Sequence, residues 1–115
     1  MPLVPIQENS GDSTDGRFPE KVYHAMAETF RSLADPTRTQ IVHLLTHGER
    51  TVNNLAEHLS VSPSAVSHQL RVLRQMGLVR FRREGQWAFY SLDDPHIERL
   101  FHEAHRHVLD FLGQG

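Results

Sequence analysis

Ser62-Pro63-Ser64-Ala65-Val66-Ser67-His68-Gln69-Leu70-Arg71-Val72-Leu73-Arg74-Gln75-Met76-Gly77 is the stretch on which the reading of this 115-residue chain turns. Ser62 can cap a helix, because its hydroxyl accepts an orphan backbone N–H. Pro63 follows at the first helical position, where a missing N–H costs nothing. Gly77 is a natural C-terminal stop. Between these signals Val66, Leu70 and Leu73 recur on one face at helical spacing. Ser64, Ser67, His68 and Arg71 fall on the opposite face. Short hydrogen-bonding side chains near the N-terminus, with an arginine one turn later, let such a face approach base edges and phosphates. Standing alone the segment would be an ordinary solvated amphipathic helix.

Its neighbours change that. Upstream, Thr51 caps a short helix with Val52, Leu55, Ala56 and Leu59 at i, i+3, i+4 and i+7. Ser60-Val61-Ser62 is then a three-residue turn, and two short helices across so tight a turn match a helix-turn-helix unit. Downstream, Val79, Phe81, Trp87, Phe89 and Tyr90 have strand propensity and Glu84-Gly85 separates two runs, which predicts a β-hairpin. It carries Arg80, Arg82 and Arg83. Basic residues on a hairpin beside a recognition helix suit the phosphate backbone.

The rest of the chain frames this unit. Residues 1–17 hold Pro2, Pro5, Gly11 and Gly16 among mostly polar residues and read as a flexible tail, leaving 18–115 as one domain. A first helix is expected from near Pro19 to about Ser32, with Val22, Met26, Phe30 and Leu33 as its apolar stripe. Asp35-Pro36 opens a second, to about His47, with Ile41, Val42, Leu44 and Leu45 inward. The last runs from about Pro95 to Leu112, with Ile97, Leu100, Phe101, Ala104, Val108 and Phe111 as a wide apolar face.

Composition narrows the function. There are no cysteines, so disulfides, thiolate metal sites and thiol redox sensing are excluded. No apolar run is long enough to cross a membrane, and the N-terminus lacks the regions of a signal peptide; a cytoplasmic location is expected. The formal net charge is −2, yet its placement is uneven. Between Ser62 and Trp87 lie Arg71, Arg74, Arg80, Arg82 and Arg83 against the single acid Glu84, while acids predominate from Asp93 onward.

The chain resembles the ArsR/SmtB family of winged-helix transcriptional repressors. The resemblance is carried by Ser32-Leu33-Ala34-Asp35-Pro36-Thr37-Arg38, by Ser64-Ala65-Val66-Ser67-His68-Gln69-Leu70-Arg71-Val72-Leu73, by Gly77-Leu78-Val79, and by Arg82-Arg83-Glu84-Gly85 through Tyr90-Ser91-Leu92. It runs from about Phe18 to the C-terminus. It implies a mainly α fold with a small β-hairpin wing, a winged helix-turn-helix, and a homodimer formed through the first and last helices. It implies binding to double-stranded operator DNA and release when an inducer binds, with no small organic substrate. Ser64, Ser67, His68, Gln69, Arg71, Arg80, Arg82 and Arg83 become the candidate DNA contacts. One inducer site of the family uses cysteines where this chain has Thr51-Val52-Asn53-Asn54, so that site is absent. Another lies on the last helix of zinc-sensing members such as CzrA and SmtB, and its pattern falls here on Asp94, His96, His107 and Asp110.

The residues support that site on their own terms. His96, His107 and Asp110 lie within about 60° on a helical wheel, and Asp94, preceding the helix, can fold back toward His96. Two imidazoles and two carboxylates suit tetrahedral Zn²⁺. His96 and His107 are however roughly 16 Å apart along one helix, too far to share an ion with donors at about 2 Å. A second, antiparallel copy must complete the site. Any one of these side chains alone would read as solvated surface. His24 or the tail could add ligands for octahedral Ni²⁺ or Co²⁺. His102, Glu103 and His105 read as surface residues, and His43, His47 and His58 as structural or exposed. Two other functions compete: DNA binding without a metal response, and a small hydrolytic metal enzyme. The latter needs an open coordination position and a substrate pocket, which four protein ligands at a helix interface would not leave.

Overall fold

The computed structural model describes residues 15–113; most of the expected tail lies outside them. Five helices and one hairpin follow in order: α1 (Glu20–Leu33), α2 (Pro36–Leu45), α3 (Val52–Leu59), α4 (Pro63–Gln75), β1 (Val79–Glu84), β2 (Trp87–Leu92) and α5 (Pro95–Phe111). Contacts divide the chain into Met1–Arg31 and Ser32–Gly115, so α1 lies almost wholly in the first unit. Along α1, Tyr23, Met26 and Phe30 are exposed.

The local signals act as their chemistry requires. The Asp35 carboxylate accepts the Arg38 N–H at 3.0 Å, the Thr51 hydroxyl the Asn54 N–H at 3.1 Å, and the Ser62 hydroxyl the Ala65 N–H at 3.1 Å. Each satisfies a donor that the first helical turn leaves orphaned. α2 stops two residues short of the expected His47. Thr46 caps it, with its hydroxyl donating to the His43 carbonyl at 2.6 Å. Between α3 and α4 the chain reverses at Ser60, whose φ of 56° is left-handed and whose N–H returns to the Ala56 carbonyl. Gly85 has a φ of 63°, at the first of the two residues linking the strands, where a type II′ turn places glycine.

The core of the second unit is where the periodicity put it. Ile41, Val42 and Leu45 of α2, Leu55 and Ala56 of α3, and Val66, Leu70 and Leu73 of α4 close over Leu78, Val79 and Ile97. Only the first turns of α5 join this core, through Ile97 and the half-buried Phe101. Further along, Val108 is 46% exposed and Phe111 80% exposed. The hairpin has a third participant that the sequence did not announce. Arg50 forms an isolated bridge to Tyr90, donating to its carbonyl at 3.0 Å and accepting from its N–H at 2.8 Å. The Arg50 side chain also donates to the Leu44 carbonyl at 3.1 Å and to Asn54 Oδ1 at 2.6 Å. It thus ties the α2–α3 connection to β2. No helix among the described residues is long and apolar enough to cross a membrane.

Candidate nucleic-acid interface and metal-ligand residues

α4 has two faces of opposite character. Val66, Leu70 and Leu73 have no exposed surface, whereas Ser64, Ser67, His68 and Arg71 are exposed. Packing on one side thereby fixes which side chains remain available to a groove. Gln69 does not share that outward face. It lies about 60° from Val66 on the wheel, is half-buried, and its Oε1 accepts from Arg38 Nη1 at 2.7 Å. Arg38 Nε also donates to the Ser32 carbonyl. Gln69 is therefore a strut between α4 and the start of α2. Arg38 stood in the Asp-Pro-Thr-Arg stretch, but nothing in the local pattern revealed a partner 31 residues away.

The wing arginines separate by strand register. Val79, Phe81 and Arg83 pair with Leu92, Tyr90 and Ala88, and Arg80, Arg82 and Glu84 pair with Ser91, Phe89 and Trp87. Alternation sends these two sets to opposite faces. Arg82 is already occupied. Its Nε and Nη2 fork onto the two oxygens of Glu49 at 2.8 and 2.9 Å, Nη1 reaches Glu84 at 2.9 Å, and the guanidinium lies 4.8 Å from the Phe89 ring centroid. Arg83 and Arg74 of α4 both lie over Phe81, at 5.8 and 4.4 Å from its centroid.

The hydrogen bonds from Arg82 hold the Glu49 carboxyl below the usual glutamate range, aided by the charges of Arg82 and Arg80, and the two carboxylates keep Arg82 more firmly protonated than usual. A carboxyl depressed in the folded state contributes stability above its unfolded pKa and loses it as pH falls through its folded value. Glu49→Gln should therefore lower the thermal midpoint slightly at pH 7. The difference from wild type should shrink to nothing as pH is lowered below the folded pKa of Glu49. Parallel melts over that pH range check this; a difference independent of pH would show that the ion pair does not act.

At the far end of the unit, Asp94 caps α5. Its Oδ1 accepts the His96 backbone N–H at 2.8 Å and lies 3.2 Å from His96 Nδ1. The fold-back expected of Asp94 is thus present. His107 and Asp110, one turn apart near the other end of the same unbroken helix, are exposed. The two pairs do not meet within one chain: among the described residues no three His, Asp or Glu side chains are grouped to hold a metal ion. Two imidazoles and two carboxylates are a donor set of the kind zinc takes, and here they stand as two pairs at opposite ends of α5.

The remaining histidines have other surroundings. His24 faces Glu20 at 3.8 Å and His102 faces Glu98 at 3.6 Å. Glu103 pairs with Arg106 at 3.3 Å. Phe101 stacks on His43 at 5.3 Å and on His105 at 6.4 Å, and His47 meets His43 edge-on at 5.3 Å. His58 lies 2.9 Å from the Asn54 carbonyl.

Residues 35–80, spanning the helix-turn-helix, match the bacterial regulatory proteins of the arsR family. The transcriptional regulator NmtR of Mycobacterium tuberculosis is 46% identical over 88 residues, covering 72% of this chain and 73% of NmtR. This chain belongs to the ArsR family. A transcriptional repressor SmtB homolog of Synechocystis is 47% identical over 83 residues, covering 72% of this chain and 63% of its own length. The ArsR-family fold is matched in three dimensions by a homodimeric winged helix-turn-helix DNA-binding domain from Mycobacterium bovis, a possible ArsR-family transcriptional regulator. That likeness has a TM-score of 0.79 at 28% identity, over 93% of this chain and 96% of the other. As an ArsR-family member this chain is a regulatory protein, not an enzyme.

Proposed function

We propose that this ArsR-family chain is a metal-responsive transcriptional repressor that binds operator DNA as an apo homodimer and is released when metal binds, with zinc as the first candidate. It would act in the cytoplasm, where that DNA lies. The observation that carries this reading is the layout of α5. A carboxylate–imidazole pair stands at its start, Asp94 and His96 at 3.2 Å. A second such pair, His107 and Asp110, stands one turn apart near its end. An antiparallel copy brings unlike ends together twice, giving two N₂O₂ sites per dimer. The exposed Val108 and Phe111 supply apolar surface to hold the helices, and the homodimeric relative from Mycobacterium bovis supports such an assembly. Bound there, zinc would link the two α5 helices.

The repressor role is supported by the Synechocystis relative, and the DNA role by the exposed face of α4 beside a basic wing. A nickel- or cobalt-responsive variant would recruit further ligands such as His24 or the tail. A regulator with no metal response is the remaining alternative. The test is a gel shift of the purified apo protein on its promoter DNA, titrated with zinc, nickel and cobalt. The apo protein should shift the DNA, and zinc at one equivalent per site should release it. DNA binding that ignores all three metals would leave only the last alternative.

A further inference from the structure

The wing and the recognition helix meet at one aromatic ring. Arg74, in the last turn of α4, lies 4.4 Å from the centroid of Phe81, and Arg83, near the tip of β1, lies 5.8 Å from the same centroid. We propose that Arg74 and Arg83, gathered on the Phe81 ring, form one binding site for the DNA backbone phosphates at the junction of α4 and the wing, and that Arg82 takes no part in it. The proposal rests on the reading of this chain as a DNA-binding protein and adds to it Arg74, Phe81 and the exclusion of Arg82.

Three observations carry it. First, the two guanidiniums can be no more than about 10 Å apart, since both lie over one ring. They come from different elements, so only the tertiary fold joins them. Second, the junction leaves their charge open. Among the described residues Arg31, Arg82 and Arg106 stand in ion pairs with acids, whereas no ion pair engages Arg74 or Arg83. Like charges gathered without a counter-charge invite an anion from outside, and a guanidinium's planar fork matches phosphate oxygens. Third, the platform is held in place. Phe81 is half-buried and packs on Tyr90 at 5.5 Å, and the backbone of Tyr90 is bonded on both sides of its residue to Arg50. A ring so anchored restricts the side chains above it before DNA arrives, which lowers the ordering cost of binding.

Arg82 supplies the contrast within the same strand. All its guanidinium nitrogens are committed to Glu49 and Glu84. With Arg80 close to Glu49 on the same face, two carboxylates and two guanidiniums balance there, so that side of the wing offers no excess positive charge. Moving Arg82 to a phosphate would expose both acids to the DNA. Its role is to position the wing against the α2–α3 connection.

The salt dependence of binding to a random-sequence duplex of about 30 base pairs tests this, because each phosphate contact contributes about 0.9 to the log–log slope. Arg74→Gln and Arg83→Gln should each flatten the slope by about 0.9 per subunit. Glu49→Gln/Arg82→Gln, which keeps the local net charge, should leave it unchanged. Phe81→Leu should weaken binding roughly threefold to tenfold with the slope retained, and Phe81→Tyr should restore wild-type affinity. The Phe81→Leu loss should vanish in an Arg74→Gln/Arg83→Gln background. If Phe81→Leu proves unstable by circular dichroism, the arginine variants and Phe81→Tyr still decide. Wild-type protein that does not bind duplex DNA would overturn the functional reading and this site with it. Wild-type binding whose slope ignores Arg74 and Arg83, or falls equally on losing Glu49 and Arg82, would overturn this site alone.

Discussion

His96→Ala and His107→Ala should each leave apo DNA affinity within about twofold of wild type and abolish release by zinc. The reason is linkage. Zinc can expel DNA only by binding the DNA-incompetent state more tightly than the competent one, and the coupling is the same in either direction. For a release of about 100-fold the coupling is about 2.7 kcal/mol. Removing one imidazole takes away a quarter of the proposed donor set, and the tetrahedral site with it. The structure explains why apo binding should survive. His96 and His107 are exposed and lie outside the core. The cap of α5 also persists in His96→Ala, because Asp94 accepts the backbone N–H of residue 96, not its side chain alone. Fluorescence anisotropy on labelled promoter DNA, with and without zinc, reads both quantities. A variant that still releases DNA at the wild-type zinc concentration would refute the assignment of that histidine.

Much of this was legible because it is local. Caps at Asp35, Thr51 and Ser62 act over three residues, and the stripe of Val66, Leu70 and Leu73 follows from 3.6-residue periodicity alone. The hairpin was legible from its turn glycine and strand formers. What escaped was long-range pairing between polar side chains. Gln69 joins the candidate DNA contacts in sequence through the Ser-His-Gln-Leu pattern of the resemblance, and in the structure Arg38 donates to its amide oxygen. Arg82 reads as one of three equivalent wing cations, yet Glu49, 33 residues upstream, holds it bidentately. Charge sign and strand propensity do not encode which neighbour a guanidinium will find. Arg50 escaped for a related reason: a single bridge to Tyr90 has no periodicity to betray it. The α5 residues show the opposite case. There the eleven-residue interval between His96 and His107 excludes a site within one helix, which is a geometric conclusion that sequence suffices to draw.

That conclusion has its sharpest consequence in a mixed dimer. One chain carries Asp94→Asn and His96→Ala, and its partner carries His107→Ala and Asp110→Ala. Asparagine is chosen at 94 because it keeps a good N-cap for α5 while removing the carboxylate charge, and Asp94 is that cap here. Each mutant homodimer has two half-empty sites and should bind zinc weakly. In the mixed dimer one site loses all four ligands. The other receives intact Asp94 and His96 from one chain and intact His107 and Asp110 from the other, so it should bind one zinc per dimer near wild-type affinity. Were the ligands drawn from within a single chain, no complete set would exist in the mixed dimer. The two arrangements differ by half a ligand set at the best site, several kcal/mol on the scale of structural zinc sites, ~10–16 kcal/mol. Differently tagged chains, co-purified and titrated against a chromogenic zinc chelator, give the stoichiometry and affinity together. One tight zinc per mixed dimer, with none in either parent, is the expected result; no tight zinc in a verified mixed dimer would rule out the antiparallel pairing of α5.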